Sequence, residues 1–308
     1  TGLAGGAVAG AGEIVLDMTA MDRILEVSPA DRVAVVEPGI LNGALNAALA
    51  EHGLWWAPDP ASKDISTVGG NIAMNAGGLL CAKYGVTREA VLGLEVVLAD
   101  GTVLSLGHRT VKGVTGYDLT ALLVGSEGTL GIITELTLRL HGQPEDVAAA
   151  VCAFPTLEDA VTCVAQTMQM GVPMARIEFM DALGMRAVNL HLGSNYPEQP
   201  HLMVEFNGAP EAVKRDAELF GAIAEEHHGA GFAWATSLEE RNRLWAARHA
   251  SYYAALKLRP GATGISTDIC VPMSELPAAV AAAAADMHAS GLIGDVVGHV
   301  GDGNFHVL

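Results

Sequence analysis

The sequence is short of cations, aromatics, cysteines and long apolar runs, and each scarcity removes a class of function. Seventeen Lys and Arg stand against 35 Asp and Glu, a formal net charge of −18. That balance excludes a nucleic-acid partner, because phosphates would be repelled and no basic stripe compensates. The four cysteines, Cys81, Cys152, Cys163 and Cys270, are widely spaced with no C-x-x-C pair. They fit reduced, mostly buried thiols of a cytoplasmic protein better than a disulfide framework. No stretch approaches the ~18–20 consecutive apolar residues of a membrane span, so any membrane association is expected to be peripheral. Two phosphate motifs are also missing: no G-x-G-x-x-G occurs, and no Gly-Lys dipeptide could form a P-loop.

What remains is a chain of 308 residues, half of them apolar. That is enough for two domains, since single cores rarely grow past about 250–300 residues. Glu13–Asp17 and Arg32–Glu37 read as strands, and Pro38-Gly39 breaks the second. Leu41–His52 has helical spacing and stops at Gly53. Leu94–Leu106 reads as a hairpin whose Asp100-Gly101 suits a type I′ turn, and Ile132–Leu140 as a long strand. After a boundary near Gly142–Asp146, strands and helices alternate. The strands are Val147–Phe154, Arg176–Met180, His201–Asn207, Phe232–Ala235, Ile265–Val271 and Asp295–Val300. The helices are Leu157–Met170, Ala182–Leu190, Pro210–His228, Leu238–Leu256 and Ser274–Ser290. This mixing predicts an α+β layer with helices on one face of a sheet. The domains are expected at residues 1–142 and 143–308. The glycine-rich start and the apolar Phe305–Leu308 end predict a chain cut off at both ends.

Glycine concentrates at Gly2–Gly12, Gly69–Gly78 and Gly125–Gly131. In Ser66–Gly78, small residues let backbone N–H groups approach a ligand and form anion-binding concavities, and Asn71 and Asn75 add amides. A single such cluster would mean turns; three in the first 131 residues favour a cofactor cradle, with a diphosphate as its natural guest.

Thr1–Gly6, Pro58-Asp59-Pro60, Ser66–Gly78, Tyr84-Gly85 and Gly125–Thr134 together resemble the FAD-binding domain of the vanillyl-alcohol oxidase-type flavoproteins. Within them the chain is most similar to the D-lactate dehydrogenase (cytochrome) and glycolate oxidase flavin-subunit group, over essentially its whole length. The resemblance implies that domain followed by an α+β, ferredoxin-like substrate or cap domain. It implies FAD contacts from Thr1, Gly2, Gly5, Pro58, Asp59, Thr67, Gly69, Gly70, Asn71, Ala73, Asn75, Ala76, Gly77, Gly78, Gly85, Glu127, Gly128, Gly131, Ile132 and Ile133. The family's first FAD strands, which precede Thr1, are not in this sequence.

Gly298–His306 is the second chemical signal. Its Gly-Asp-Gly-Asn core favours a turn, and strand–turn–strand would bring His299 and His306 together. Neutral imidazoles ligate zinc- or manganese-class ions, and an open site needs a third ligand. The other histidines, such as His52 and His288, read as ordinary core or surface residues. Arg248, on a helical segment, is either a carboxylate clamp or half of a surface ion pair with Glu239, Glu240 or another acid. The motif resembles the family's H-x-G-D-G-N-x-H, which implies a divalent metal on His299 and His306. The family's glutamate ligand and catalytic base lie farther downstream. The resemblance likewise implies substrate-side roles for Arg248, Ser266 and Asn304. Where relatives acting on larger diacids carry a lysine, this chain has Ser266, which favours D-lactate or glycolate.

The expected activity is oxidation of a small D-2-hydroxy acid to the 2-oxo acid by hydride transfer to flavin N5, with metal assistance and an unidentified electron acceptor. The alternative is an accessory flavin subunit of a glycolate oxidase-type complex; a homo-oligomer is also open. A metallohydrolase ranks last, because it leaves the glycine clusters unexplained.

Overall fold

Apolar, β-branched runs become strands in the computed structural model, which describes residues 2, 5–235 and 237–308. Two compact units result: Thr1–Leu80 with Tyr84–Gln143, and Cys81–Lys83 with Pro144–Leu308. Along the first run β1 (Ile24–Ser28), β2 (Val33–Val36), α1 (Asn42–Ala50), β3 (Leu54–Trp55), α2 (Val68–Ala73), β4 (Val91–Val97), β5 (Val103–Gly107), α4 (Leu119–Leu123), β6 (Ile132–Arg139) and β7 (His141–Gly142), while the short α3 (Cys81–Tyr84) gives its first three residues to the second unit. Its main sheet has the order β1-β2-β6-β4-β5, antiparallel throughout, and β3 pairs separately with β7. Leu45, Leu49, Trp56, Ile72, Val96, Leu136 and Leu138 close its core.

Two local expectations fail here. Residues 13–17 form no strand, and Ile14 is 95% exposed; an alternating run without a neighbouring strand leaves its backbone groups to water. The hairpin is real, but its turn is not type I′. Only Gly101 has positive φ there, and Gly101 N–H donates to the Leu98 carbonyl at 2.9 Å. That is a type I turn with glycine at the bulge position.

The second unit runs β8 (Asp146–Ala153), α5 (Leu157–Gln169), β9 (Arg176–Met180), α6 (Ala182–Leu192), β10 (His201–Gly208), α7 (Pro210–Glu226), β11 (Ala230–Ala235), α8 (Leu238–His249), α9 (Ser251–Ala255), β12 (Ile269–Cys270), α10 (Leu276–Ser290), β13 (Val296–Gly298) and β14 (Asn304–Val307). Its sheet order is β11-β8-β10-β9-β13-β14-β12. The stretch β8-α5-β9-β10-α7-β11, with α6 inserted, is a ferredoxin-like split βαβ, extended by β13, β14 and β12. Ile177, Phe179, Leu202, Val204 and Phe206 face one side and pack with residues of α5, α7 and α10. Successive strand residues point to opposite faces, so Glu178 and Glu205 lie on the other side. There α8 covers them through Trp245 and Arg248. Helices therefore flank both faces, not one as expected. The expected helix Leu238–Leu256 is also interrupted at Ala250, and the expected strand Ile265–Val271 shrinks to Ile269–Cys270. No helix among the described residues is long and apolar enough to cross a membrane.

Asp295, fully buried at the mouth of β13, has neither carboxylate oxygen hydrogen-bonded among the described residues. Burial, then the neighbouring Asp181 carboxylate, pushes it up to about 7. Asp181 caps α6 by accepting from Gly184 N–H; burial raises it to about 6 against its hydrogen bonds.

Two stability measurements follow. A carboxyl whose folded pKa is raised binds its proton in the native state first, so its stabilisation is present at low pH and lost as pH climbs. Between about pH 4 and 7 Asp295 should cost the fold up to about 4 kcal/mol. Thermal unfolding across that range should show the midpoint falling as pH rises, and Asp295→Asn should flatten the trend. In the β13–β14 connection, Gly303 has φ +80 and a Cβ there would lie 2.2 Å from the Val271 carbonyl oxygen. At Gly291 φ is +64, but nothing lies within 4 Å. Gly291→Ala should cost about 1 kcal/mol and Gly303→Ala over about 2 kcal/mol, from strain plus a backbone clash. Equal losses in urea unfolding would refute the clash.

Candidate functional site

The second unit gathers its chemistry on the polar face of β9. Glu178, 1% exposed, accepts from Arg248 Nε–H at 2.7 Å through one oxygen and meets His299 Nδ1 at 2.8 Å with the other. Arg248 ends α8, a helix started by a Ser237/Glu240 capping box, and the cation suits the helix's C-terminal end. Its Nη1 donates to Ser251 Oγ at 3.1 Å, while Nη2 makes no hydrogen bond among the described residues. Arg248 is thus buried and ion-paired, with Glu178 as the acid rather than Glu239 or Glu240.

The turn between β13 and β14 does bring the two histidines together, with ring centroids 5.6 Å apart and edge-on. The turn is tight because its glycines are hemmed in: a Cβ at Gly298 would meet Phe305 at 2.5 Å, and one at Gly301 would meet Ile177 at 2.2 Å. His306 Nδ1 lies 2.9 Å from the Thr267 carbonyl oxygen and 3.5 Å from Asp268. Asn304 Nδ2 donates to Asp268 Oδ1 at 2.7 Å and to the Ile269 carbonyl at 3.0 Å. Ser266 is exposed, and its hydroxyl donates to the Thr267 carbonyl at 3.2 Å.

Electrostatics follow from burial and pairing. Burial opposes charge on His299, yet the Glu178 carboxylate outweighs it and raises the imidazole. Burial likewise opposes charge on Glu178, but His299 and Arg248 together hold it below the usual carboxylate range. Burial lowers His306, with the Thr267 carbonyl pulling the other way. A carboxylate and a carbonyl only accept, so Nδ1 of both histidines carries the proton. In the neutral rings Nε2 then keeps its lone pair, the arrangement ligating histidines adopt. The pair could therefore supply two of a divalent metal's ligands. Among the described residues no group of three His, Cys, Asp or Glu side chains could hold one.

In the first unit the three glycine clusters converge. A Cβ at Gly2 would sit 3.2 Å from Met74 Cε, and one at Gly6 would sit 3.3 Å from Glu127 Oε2. Gly125 N–H donates to Ile72 O and Glu127 N–H to Ala73 O, each at 2.9 Å. Gly5, Gly70, Gly77 and Gly128 are exposed, and at Gly5 and Gly128 nothing stands within 4 Å of a would-be Cβ. Exposed Met74, Leu130 and Ile132 flank these loops, with Ile133 half-buried beside them. An open strip of small residues edged by apolar side chains suits a diphosphate joined to a flat ring system.

Other expected contacts are bonded to or packed against the unit's own residues. Thr67 caps α2 by accepting from Gly70 N–H. Asn71 bonds Ser66 and Asn42, and Asn42 also holds the Pro58 carbonyl. Asn75 accepts from Arg88 N–H, and Ala76 O from Thr87. Gly69 is pressed against Pro38, Gly78 against the Asp59 backbone, Gly85 against Glu89 and Gly131 against Val96. Asp59 accepts from Leu80 N–H. Thr1 lies outside the described residues. Sequence reasoning passed over Glu178; an acid in the middle of the apolar run Arg176–Met180 was the signal.

Comparison with known proteins agrees with this geometry. Residues 143–308 match the family of FAD linked oxidases, C-terminal domain, and residues 1–107 match an FAD binding domain. A probable mitochondrial D-lactate dehydrogenase of Danio rerio is 44% identical over 100% of this chain and 62% of its own length. Glycolate oxidase subunit GlcD of Bacillus subtilis is 38% identical over 99% of this chain and 65% of its own. The chain thus spans less than two thirds of these relatives. Among solved structures, alkyldihydroxyacetonephosphate synthase superposes with TM-score 0.78 at 21% identity, covering 98% of this chain and 62% of the other. Substrate-bound p-cresol methylhydroxylase gives 0.75 at 18%, covering 96% and 66%. At such identities the likeness carries the fold alone. A flavin cradle in the first unit and the matched C-terminal domain in the second place the chain in one family: it belongs to the FAD-linked oxidases, on the vanillyl-alcohol oxidase-type fold.

Proposed function

We propose that this chain forms the core of an FAD-dependent dehydrogenase that oxidises D-lactate or glycolate to the 2-oxo acid. The observation that carries the reading is the convergence of Arg248, His299 and His306 on one polar sheet face. FAD would accept the hydride, and a divalent zinc- or manganese-class ion would lower the pKa of the substrate hydroxyl as a Lewis acid. His299 and His306 would hold the ion through Nε2. Arg248 would offer its Nη2 edge to the substrate carboxylate, a planar donor for a planar acceptor. Asn304, fixed by Asp268, orders the loop carrying Ser266, and a short hydroxyl at that position leaves no cation for a second carboxylate. The smaller substrates follow from that lack. Re-oxidation requires an electron acceptor, and a GlcD-type relative supports a multi-chain complex as its setting.

Three experiments on the full-length protein test this. In an anaerobic absorbance scan, flavin bands should bleach with D-lactate or glycolate and stay unchanged with L-lactate; a colourless protein that FAD cannot reconstitute would sink the proposal. Arg248→Met should lower kcat/KM by at least about 30-fold, as expected for a buried charge-assisted contact. The combined His299→Ala and His306→Ala variant should lose turnover by over about 100-fold while retaining FAD. Normal turnover in the histidine variant would remove the metal role.

A further inference from the structure

We infer that Glu178 is a positioning residue that sets two ligand-binding groups at once: it fixes His299 for the metal and Arg248 for the substrate carboxylate. The inference rests on the function proposed above and deepens it. Glu178 sits mid-strand in β9 and touches both α8, through Arg248, and the β13–β14 turn, through His299. Its two oxygens are divided, Oε2 to Arg248 Nε at 2.7 Å and Oε1 to His299 Nδ1 at 2.8 Å. At 1% exposure water cannot substitute for either partner.

Each half has a distinct consequence. Acceptance from His299 Nδ1–H aims Nε2 away from β9 and makes it a better donor, the usual effect of a carboxylate behind a ligating imidazole. Capture of Arg248 through Nε leaves the Nη2 edge as the part of the fork that can meet an anion. Behind His306 stands the Thr267 carbonyl at 2.9 Å, with the exposed Asp268 carboxylate farther off at 3.5 Å, so the two histidines are not equivalent supports. Neutralising Glu178 should therefore damage metal affinity and substrate affinity together, which neither Arg248 nor His306 can do alone.

The test measures metal binding directly, by titrating zinc and, separately, manganese into metal-free, FAD-loaded full-length protein, alongside steady-state kinetics with D-lactate. Glu178→Gln should weaken metal binding about 10- to 100-fold and raise KM at saturating metal by at least about tenfold. Arg248→Met should raise KM yet leave metal affinity within about threefold. Because Glu178→Gln strands a buried guanidinium and can unfold the unit, the combined Glu178→Gln and Arg248→Met variant removes that charge. It should fold, as judged by circular dichroism and retained flavin, and still show the weakened metal binding. Metal affinity equal to wild type in that double variant would overturn the inference while leaving the proposed function intact. Wild-type protein that binds neither metal would overturn the metal reading and this inference with it.

Discussion

A carboxylate taken out of water has to be met by charge and hydrogen bonds, and Glu178 organises the second unit around that demand. Desolvating it alone would cost several kcal/mol, more than any single exposed contact returns. Arg248 and His299 supply the compensation, and each comes from a different element: the last turn of α8 and the exit of β13. The next strand repeats the device. Glu205, on the same face of β10, takes Trp245 Nε1–H at 2.8 Å and pairs with Arg176 at 3.3 Å, while the Arg176 guanidinium lies 4.9 Å from the centroid of the Trp245 ring. Helix α8 is thus fastened to the sheet by polar contacts as well as by Leu244 and Ala247, which are buried. The opposite face, packed by Phe154, Phe179, Phe206 and Phe220, is apolar. One sheet carries an ordinary core on one side and a charged layer on the other.

The glycines divide by the same kind of argument. At Gly69, Gly78 and Gly131 a side chain would collide with the unit's own backbone or core, so these residues would be required with no ligand in view. Gly5 and Gly128 have empty space where a side chain would go. Both have φ +76, so the backbone conformation rather than crowding calls for glycine there. Composition cannot separate these two populations. Only the neighbours brought in by folding distinguish a glycine that lets the chain pack from one that leaves room.

Much of the architecture was legible because it rests on periodicity. The helix at Leu157 and the strands at Arg176 and His201 stand within a residue or two of where alternation and capping residues put them. The histidine pair was legible too, because Gly298, Gly301 and Gly303 permit little besides a tight return. What escaped depended on partners distant in sequence. Residues 13–17 have strand-like alternation, yet no strand lies beside them. The charge layer under α8 was invisible because Glu178 and Arg248 are 70 positions apart. A helix with Trp245 and Arg248 on its buried side reads as amphipathic in the wrong sense until the acids beneath it are known.

Fold likeness and local chemistry carry different parts of the functional reading. Solved structures at 18–21% identity share the architecture, but an alkyldihydroxyacetonephosphate synthase and a p-cresol methylhydroxylase are named for different reactions, so shape alone selects no substrate. Selection has to come from groups that the fold leaves variable. Arg248 and His299 are tied into the sheet by Glu178, and changing either disturbs buried charge. Ser266 and Asp268 are exposed on the stretch before β12, and Asn304 reaches across to hold that stretch in place. A change at Ser266, which among the described residues makes no hydrogen bond to that buried layer, would therefore have little effect on what holds it together. On the function proposed above, that separation would put binding of the common carboxylate in the buried layer and discrimination between hydroxy acids in the exposed one.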